Sequence, residues 1–160
     1  MGQPWIMEAT QYKWKDRSMI SLNPQVVGEH FALLSSHHNA ITPQLILDDG
    51  RSKDSPTHTY FVWNDTVAAE KYRLSQAAKL LRSVVYVNVE EPEAEPIRAF
   101  VRVEEDDESH FVTTAYAMSH TNLRAQVLHN AMNELKAFRS KYATLKELAK
   151  VFKAIDTIPV

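Results

Sequence analysis

The sequence predicts an α+β fold that is mostly helical. An N-terminal helical lobe precedes a small central antiparallel sheet, built on a hairpin and of two or three strands, and a C-terminal helical hairpin or bent helix pair follows. Helical periodicity dominates residues 23–83 and 121–155, whereas runs of β-branched and aromatic residues are confined to residues 84–113. The chain has only 3 glycines, which fits a helical protein with few strained turns.

The stretch from residue 64 to 90 changes its hydrophobic period halfway. Residues 65–82 repeat apolar side chains at helical spacing, and Asn64 before them predicts an N-cap. From Val84 the composition switches to valine and tyrosine, which predicts a strand. Because neither Gly nor Pro separates the two segments, we expect the helix to pass into the strand through a very tight turn.

Two shorter helices are predicted upstream. Asn23-Pro24 and Thr42-Pro43 each place a capping side chain before a proline at the first helical position. The first helix should end near Ser36, and the second should be short and close at Gly50, before a polar loop at residues 51–59. This order of elements loosely matches a helix-turn-helix DNA-binding motif. The second helix, however, is apolar and acidic, and one glutamine is the main side chain in it that could contact the edges of the bases.

Three regions follow from these signals. Residues 1–22 form an aromatic N-terminal arm with Trp5 and Trp14, which we expect to dock on the core or on a neighbouring subunit. Residues 23–83 form the helical lobe. Residues 84–160 form a hairpin plus the C-terminal helices, and we expect them to share one continuous domain with residues 23–83.

The C-terminal region contains a seam of nearly heptad period. Residues 84–104 predict a hairpin, a short strand at residues 110–113 follows, and Thr121 predicts the N-cap of a long helix. A capping box at Thr144–Glu147 predicts that this helix breaks near Ala143. The heptad predicts pairing with a helix of this chain or of a second copy. The seam is formed by Leu128, Ala131, Leu135, Phe138, Tyr142 and Leu145. Candidate partner-binding residues are Trp5, Trp14, Leu128, Leu135, Phe138 and Tyr142.

Charge is unevenly distributed although the net charge is only −2. Residues 1–83 carry 9 Lys/Arg and 8 Asp/Glu, residues 84–120 carry 2 and 9, and residues 121–160 carry 7 and 3. The predicted helix at residues 65–82 has a basic side that suits phosphates, and its alternative interpretation is an ordinary solvated face. The acidic run at residues 104–108 imitates a phosphate backbone or simply solubilises a loop. Candidate nucleic-acid contacts are Lys71, Arg73, Lys79 and Arg82.

Several classes of chemistry have no support in the sequence. There is no cysteine, so thiolate chemistry and disulfides are excluded, and the 7 histidines show no metal-ligand spacing. No glycine-rich phosphate loop or nucleophile motif occurs. We therefore expect no metal, no cofactor and no enzyme activity. No apolar run approaches about 20 residues and the first residues lack a secretory pattern, so we expect no membrane association.

Two groups of residues form a pattern that extends over roughly residues 23–155. They are Tyr60–Asp65, Ala68-Ala69, Tyr72–Leu74, Gln76-Ala77 and Leu81–Val84, and the run Leu135, Arg139, Lys141-Tyr142, Leu145, Leu148 and Val151. This pattern resembles a family of small uncharacterised proteins of tailed phages and prophages, although Phe61-Val62-Trp63 departs from the Phe-Glu-Trp typical of that family. The resemblance implies a bacteriophage origin and action in the bacterial host cytoplasm or in the virion, and it brings no catalytic residue.

These observations predict a non-enzymatic phage protein that acts by binding. The leading hypothesis is association with nucleic acid, in phage DNA metabolism or transcription. The alternative is an oligomeric assembly protein or one that binds a host protein, including an acidic mimic of nucleic acid. We also expect a homo-oligomer, in which the heptad seam and the aromatic arm face a partner.

Overall fold

The computed structural model describes residues 10–63, 66–91 and 93–159, and it confirms a mostly helical α+β fold. Within these residues the helices are α1 (Pro24–His38), α2 (Pro43–Gly50), α3 (Val67–Ser83), α4 (Thr114–Ser119), α5 (Thr121–Lys141) and α6 (Ala149–Thr157). The strands are β1 (Gln11–Trp14), β2 (Val84–Val87), β3 (Ile97–Arg98), β4 (Phe100–Glu105) and β5 (Glu108–Thr113). Short 3-10 turns lie at His58–Tyr60 and Lys146–Leu148.

The predicted starts of the first two helices are confirmed. The Asn23 side chain accepts hydrogen bonds from the amides of Gln25 and Val26, and the Thr42 hydroxyl accepts one from the amide of Leu45. These bonds satisfy amides that have no partner within the helix. The predicted Asn64 cap of α3 lies outside the described residues, and the Thr66 hydroxyl caps this helix instead.

The three-stranded antiparallel sheet has β2 at its centre, between β1 and β3. Ser83 is the last residue of α3 and Val84 the first of β2, so the predicted direct passage from helix to strand is confirmed. Strand β1 comes from the aromatic arm, and its Tyr12 and Trp14 pack against the core while Gln11 and Lys13 are exposed. This part of the arm therefore docks on its own chain.

The hairpin predicted at residues 84–104 is divided between two sheets. Only Ile97 and Arg98 pair with β2, and after Ala99 the chain continues as β4, which pairs with β5. The turn of this second hairpin is Asp106-Asp107, and both residues have positive φ, at 51° and 64°. This geometry is typical of a two-residue type I′ turn. The acidic run at residues 104–108 is therefore the tip of a hairpin.

Two hydrophobic clusters hold these elements together. The larger one lies between α1, α2, α3 and the strands, and Phe31 packs edge to face on Phe100 in it, with ring centroids 6.0 Å apart. Its buried members are Val27, Phe31, Ile41, Ile46, Leu47, Phe61, Ala77, Leu80, Leu81, Val84, Ala99, Phe100 and Phe111. The smaller cluster joins the second hairpin to α4 and the start of α5 through Val103, Val112, Ala117 and Leu123.

The C-terminal helices form the predicted hairpin, although two local expectations were wrong. Thr121 is the first residue of α5 and not its cap, and the helix begins without a side-chain capping bond. The capping box does not form either, because Leu145 is the cap residue of the 3-10 turn and no side chain bonds there. Helix α6 packs against the last turns of α5, where Arg139 binds Asp156 at 2.8 Å and Phe138 lies against Phe152. Helix α4 was not predicted.

Candidate nucleic-acid interface and partner surface

The basic side predicted for α3 is exposed to solvent. Lys71, Ser75, Lys79 and Arg82 are all exposed, and in the described part of the chain the three cations form no ion pair. Lys71 and Arg82 are 11 positions apart, which is about 16 Å along a helix of ordinary rise. The three side chains therefore form a cationic strip with free donors, referred to below as the α3 basic face.

Arg73, the fourth predicted phosphate contact, lies inside the fold. Its side chain is only 4% exposed, its Nε donates to the Val62 carbonyl at 2.6 Å, and its Nη1 pairs with Glu70 at 3.3 Å. Two residues along a helix rotate the side chain by about 200°, so Arg73 points away from Lys71. We therefore exclude Arg73 from the candidate interface.

Arg73 instead belongs to a cluster around Trp63 that fixes the chain leading into α3. The Trp63 ring stacks on His58 with centroids 5.2 Å apart, and Arg73 lies 5.2 Å from the Trp63 centroid. Glu70 accepts hydrogen bonds from Arg73 and, at 2.8 Å, from Arg51. The hydrogen bond to Glu70 raises the pKa of Arg51 above its ordinary value. These contacts hold α3 against the loop that precedes it and keep the basic face in place.

Further cations lie on the outer face of the three-stranded sheet. Lys13 pairs with Val85 across β1 and β2, and Val85 pairs with Arg98 across β2 and β3. Directly paired residues of antiparallel strands point to the same face, and two strand spacings separate the two backbones by about 10 Å. Lys13 and Arg98 are exposed. Neither residue was among the predicted contacts, because no strand was predicted at residues 11–14 and the pairing of β1 with β2 joins residues far apart in the sequence.

Lys15 connects this face to the end of α3. Its amide donates to the Ser83 carbonyl at 2.8 Å, so its backbone lies beside the residue that follows Arg82. The exposed glutamates of residues 90–95 follow the opposite end of β2. Lys15 therefore lies beside the C-terminal end of α3, whereas the glutamates lie at the other end of β2.

The predicted partner seam is partly covered by α6. Phe138 packs against Phe152 with ring centroids 6.3 Å apart and against Tyr142 at 5.0 Å, yet it remains 40% exposed. Leu128 is 52% exposed, and Leu135 is also more than one third exposed. The heptad thus pairs with a helix of the same chain along one side and leaves apolar surface along the other.

The two tryptophans predicted to bind a partner have different outcomes. Trp5 lies outside the described residues. Trp14 packs against the larger core cluster, and its indole Nε1 donates to the Leu22 carbonyl at 2.6 Å. Because both its ring and its donor are engaged within this chain, we do not retain Trp14 as a partner residue.

The acidic hairpin tip is tied to α5. Gln126 donates its side-chain amide to the Glu104 carbonyl and accepts the Glu104 amide, both at 2.8 Å. His110 and Glu105 are in contact at 3.0 Å. Asp106, Asp107 and Glu108 remain exposed. The tip therefore presents carboxylates on a supported turn.

One polar network in the fold resembles a catalytic arrangement only superficially. Asp49 contacts His30 at 2.8 Å and accepts the Ser55 hydroxyl at 2.6 Å, so the carboxylate lies between the other two groups. In a Ser-His-Asp triad the histidine is central and removes the hydroxyl proton. The arrangement here cross-links α1, α2 and the following loop. No cluster of metal-ligating side chains is found among residues 10–63, 66–91 and 93–159.

Among the helices that the structure describes, none has the length and hydropathy required to cross a lipid bilayer. Comparisons of the chain with protein-family models, with curated proteins and with solved structures found no match. The candidate interfaces therefore rest on their own geometry and charge.

Proposed function

We propose that this protein binds nucleic acid without catalysing a reaction, through the α3 basic face and Lys15 beside it. The observation that carries the proposal is that Lys71, Lys79 and Arg82 are exposed on one side of a helix whose other side is packed in the core. The resemblance to tailed-phage proteins supports a role in phage DNA metabolism or transcription in the bacterial cytoplasm. The phage role and the cytoplasmic location are therefore proposed together with the binding.

Phosphate neutralisation supplies the binding energy in this proposal. Cations that contact phosphates release condensed counterions, so the observed affinity falls steeply as salt concentration rises. The α3 basic face offers three such cations, and the exposed Lys15 follows β1 beside the C-terminal end of α3. The exposed residues of this candidate interface are mainly charged, and they include no array of amide side chains that could read base edges. We therefore expect the affinity to depend only weakly on the nucleotide sequence.

The test compares two double variants that each remove two charges. Lys79→Ala with Arg82→Ala removes two cations of the α3 basic face, whereas Lys150→Ala with Lys153→Ala removes two exposed cations of α6. Fluorescence anisotropy of a labelled duplex and a labelled single strand, measured over a series of salt concentrations, gives the affinity and its salt slope. We expect the α3 pair to reduce the log–log slope on duplex by about 1.8.

The control and the failure outcomes are distinct. The α6 pair should change the slope by much less, because net charge alone acts weakly on a screened surface. Absence of binding to both probes even at the lowest salt concentration would refute the proposal. Equal losses for both double variants would show that net charge, and not the α3 basic face, determines the affinity.

A second candidate function is assembly with another protein. The observation in its favour is the apolar surface left along α5 by Leu128, Leu135 and Phe138. Light scattering measures this directly, since an assembly protein has a molar mass above that of one chain. If so, replacing Leu128 and Leu135 by asparagine should reduce the measured molar mass. A monomeric wild-type chain would show that the protein does not assemble with itself, and only binding to a different protein would then support this candidate.

A further inference from the structure

The C-terminal helical hairpin buries little of its own apolar surface. In α5 and α6 the buried side chains are Leu123, which belongs to the smaller core cluster, and Met132, Phe152 and Ile155. More than one third of the side chain is exposed at Leu128, Leu135, Phe138, Leu145, Val151 and Ile158. A pair of helices gains its stability from packing apolar faces against each other or against a partner. A segment of fewer than about 40 residues rarely buries enough apolar surface by itself to be stable.

The exposed seam has one covered flank and one free flank. Numbering the heptad with Leu128 and Leu135 at position a places Met132 and Arg139 at position e, where Met132 is buried and Arg139 binds Asp156 of α6. The opposite flank, position g, contains Glu134 and Lys141. Both are exposed, and neither forms an ion pair in the described residues. A further helix can therefore approach only from the g side.

We propose that the occupant of this flank is α5 of a second copy, running antiparallel, so that two hairpins form a four-helix bundle. Antiparallel seams pair position a with position d of the partner. Setting Leu135 against Phe138 of the partner subunit fixes the register within α5, which ends at Lys141 before Leu145. Leu135 and Phe138 both have exposed apolar surface in the single chain.

This register brings opposite charges together. In antiparallel pairs position g faces position g, and the register set by Leu135 places Glu134 opposite Lys141 of the partner subunit. Two-fold symmetry repeats the pair, so the free flank acquires two ion pairs. The smaller core cluster lies at the start of α5, so the antiparallel register places the two copies of this cluster at opposite ends of the helix pair.

The parallel alternative is disfavoured by the same charges. Parallel seams pair position g with the e position of the next heptad, which directs Glu134 to Arg139 of the partner subunit. Arg139 is already bound to Asp156 of its own chain at 2.8 Å. Lys141 gains no partner in this arrangement, because α5 ends at Lys141 and the next e position lies beyond the helix. Only the antiparallel arrangement uses both charges of the g flank, so we assign the antiparallel second copy.

Charge reversal tests the register. Sedimentation equilibrium of the full chain over a wide concentration range gives the dimer dissociation constant. Glu134→Lys alone or Lys141→Glu alone creates two like-charge contacts and should weaken the dimer by about tenfold or more. The double variant carrying both substitutions restores opposite charges and should recover wild-type affinity. An equimolar mixture of the two single variants should form a heterodimer.

Matched controls reverse exposed charges away from the g flank. Lys136→Glu at position b and Glu147→Lys beyond the helix should leave the dissociation constant unchanged. Circular dichroism should show that every variant keeps its helix content, because all of the changed side chains are exposed. A chain that stays monomeric throughout, or a dimer whose single reversals and double reversal have equal affinities, would overturn the proposal.

Discussion

Replacing Gly28 by alanine should detach the aromatic arm from α1. A Cβ built at this helical glycine would lie 2.2 Å from Cγ of the Tyr12 ring and 2.5 Å and 2.6 Å from the adjacent ring carbons. Cγ is the ring atom nearest the backbone, so a side-chain rotation cannot clear it without moving β1. Two further bonds hold that strand on α1, because Gln25 accepts the Tyr12 amide at 2.8 Å and donates to the Thr10 carbonyl at 3.0 Å.

Two effects of opposite sign determine the magnitude. Alanine in place of glycine inside a helix gains about 1 kcal/mol in helix propensity. Overpacking in a well-filled contact costs about 1–3 kcal/mol, and the loss of part of the β1 pairing adds to this cost. We therefore expect Gly28→Ala to lower the free energy of unfolding by about 1–2 kcal/mol. The measurement is urea denaturation followed by tryptophan fluorescence, to which Trp14 contributes.

A double-mutant cycle supplies the control. Tyr12→Ala removes the ring that the new Cβ would meet, so adding Gly28→Ala to that variant should be neutral or stabilising. The coupling energy between the two sites should therefore exceed about 1 kcal/mol. If Gly28→Ala destabilises the protein equally with and without the Tyr12 ring, the close contact is not the cause and this explanation of the arm's docking is refuted.

The remaining predictions concern charge and titration. Arg73→Ala should lower the free energy of unfolding by about 2–3 kcal/mol in denaturation experiments, while Lys71→Ala should stay within about 0.5 kcal/mol, because only the first is buried. Burial, with smaller contributions from Glu29 and Tyr86, raises the pKa of Tyr12. The folded state therefore holds the phenolic proton of Tyr12 more tightly than the unfolded state does. The resulting contribution to the free energy of unfolding should be complete below pH about 10 and should decline at higher pH. Tyr12→Phe should reduce this loss of stability at high pH. If the hairpin tip mimics nucleic acid, neutralising the carboxylates of residues 104–108 should abolish capture of a basic protein. If the tip is only a solvated turn, the same change should leave the affinity for DNA equal or higher.

Helix positions were predictable because their signals are local. Asn23 and Thr42 each combine a capping side chain with a following proline, and both caps form in the structure. The passage from α3 to β2 was also predictable, since the period of the apolar residues changes at Ser83. These features depend on residues that are neighbours in the chain, so a single sequence is enough to predict them.

The features that were missed depend on distant partners or on unusual local chemistry. Strand β1 has four residues and forms because it pairs with β2, which lies far along the chain. The Asp106-Asp107 turn lacks the glycine that normally marks a two-residue hairpin, so the residues were interpreted as an acidic run. Arg73 was selected for its charge, although its position on the helix already directed it towards the Val62 carbonyl.

The position of β1 also has a consequence for the chain during synthesis. Because β1 covers one side of β2, its absence would leave the main-chain donors and acceptors of a Val-Val-Tyr-Val segment open to pairing with another molecule. Short valine-rich segments with an open edge are prone to intermolecular aggregation. Residues 11–14 leave the ribosome long before β2 does, so they are already available when that strand emerges. N-terminal truncation through these residues should therefore yield protein that precipitates, even though the larger core cluster has few of its members in the deleted part.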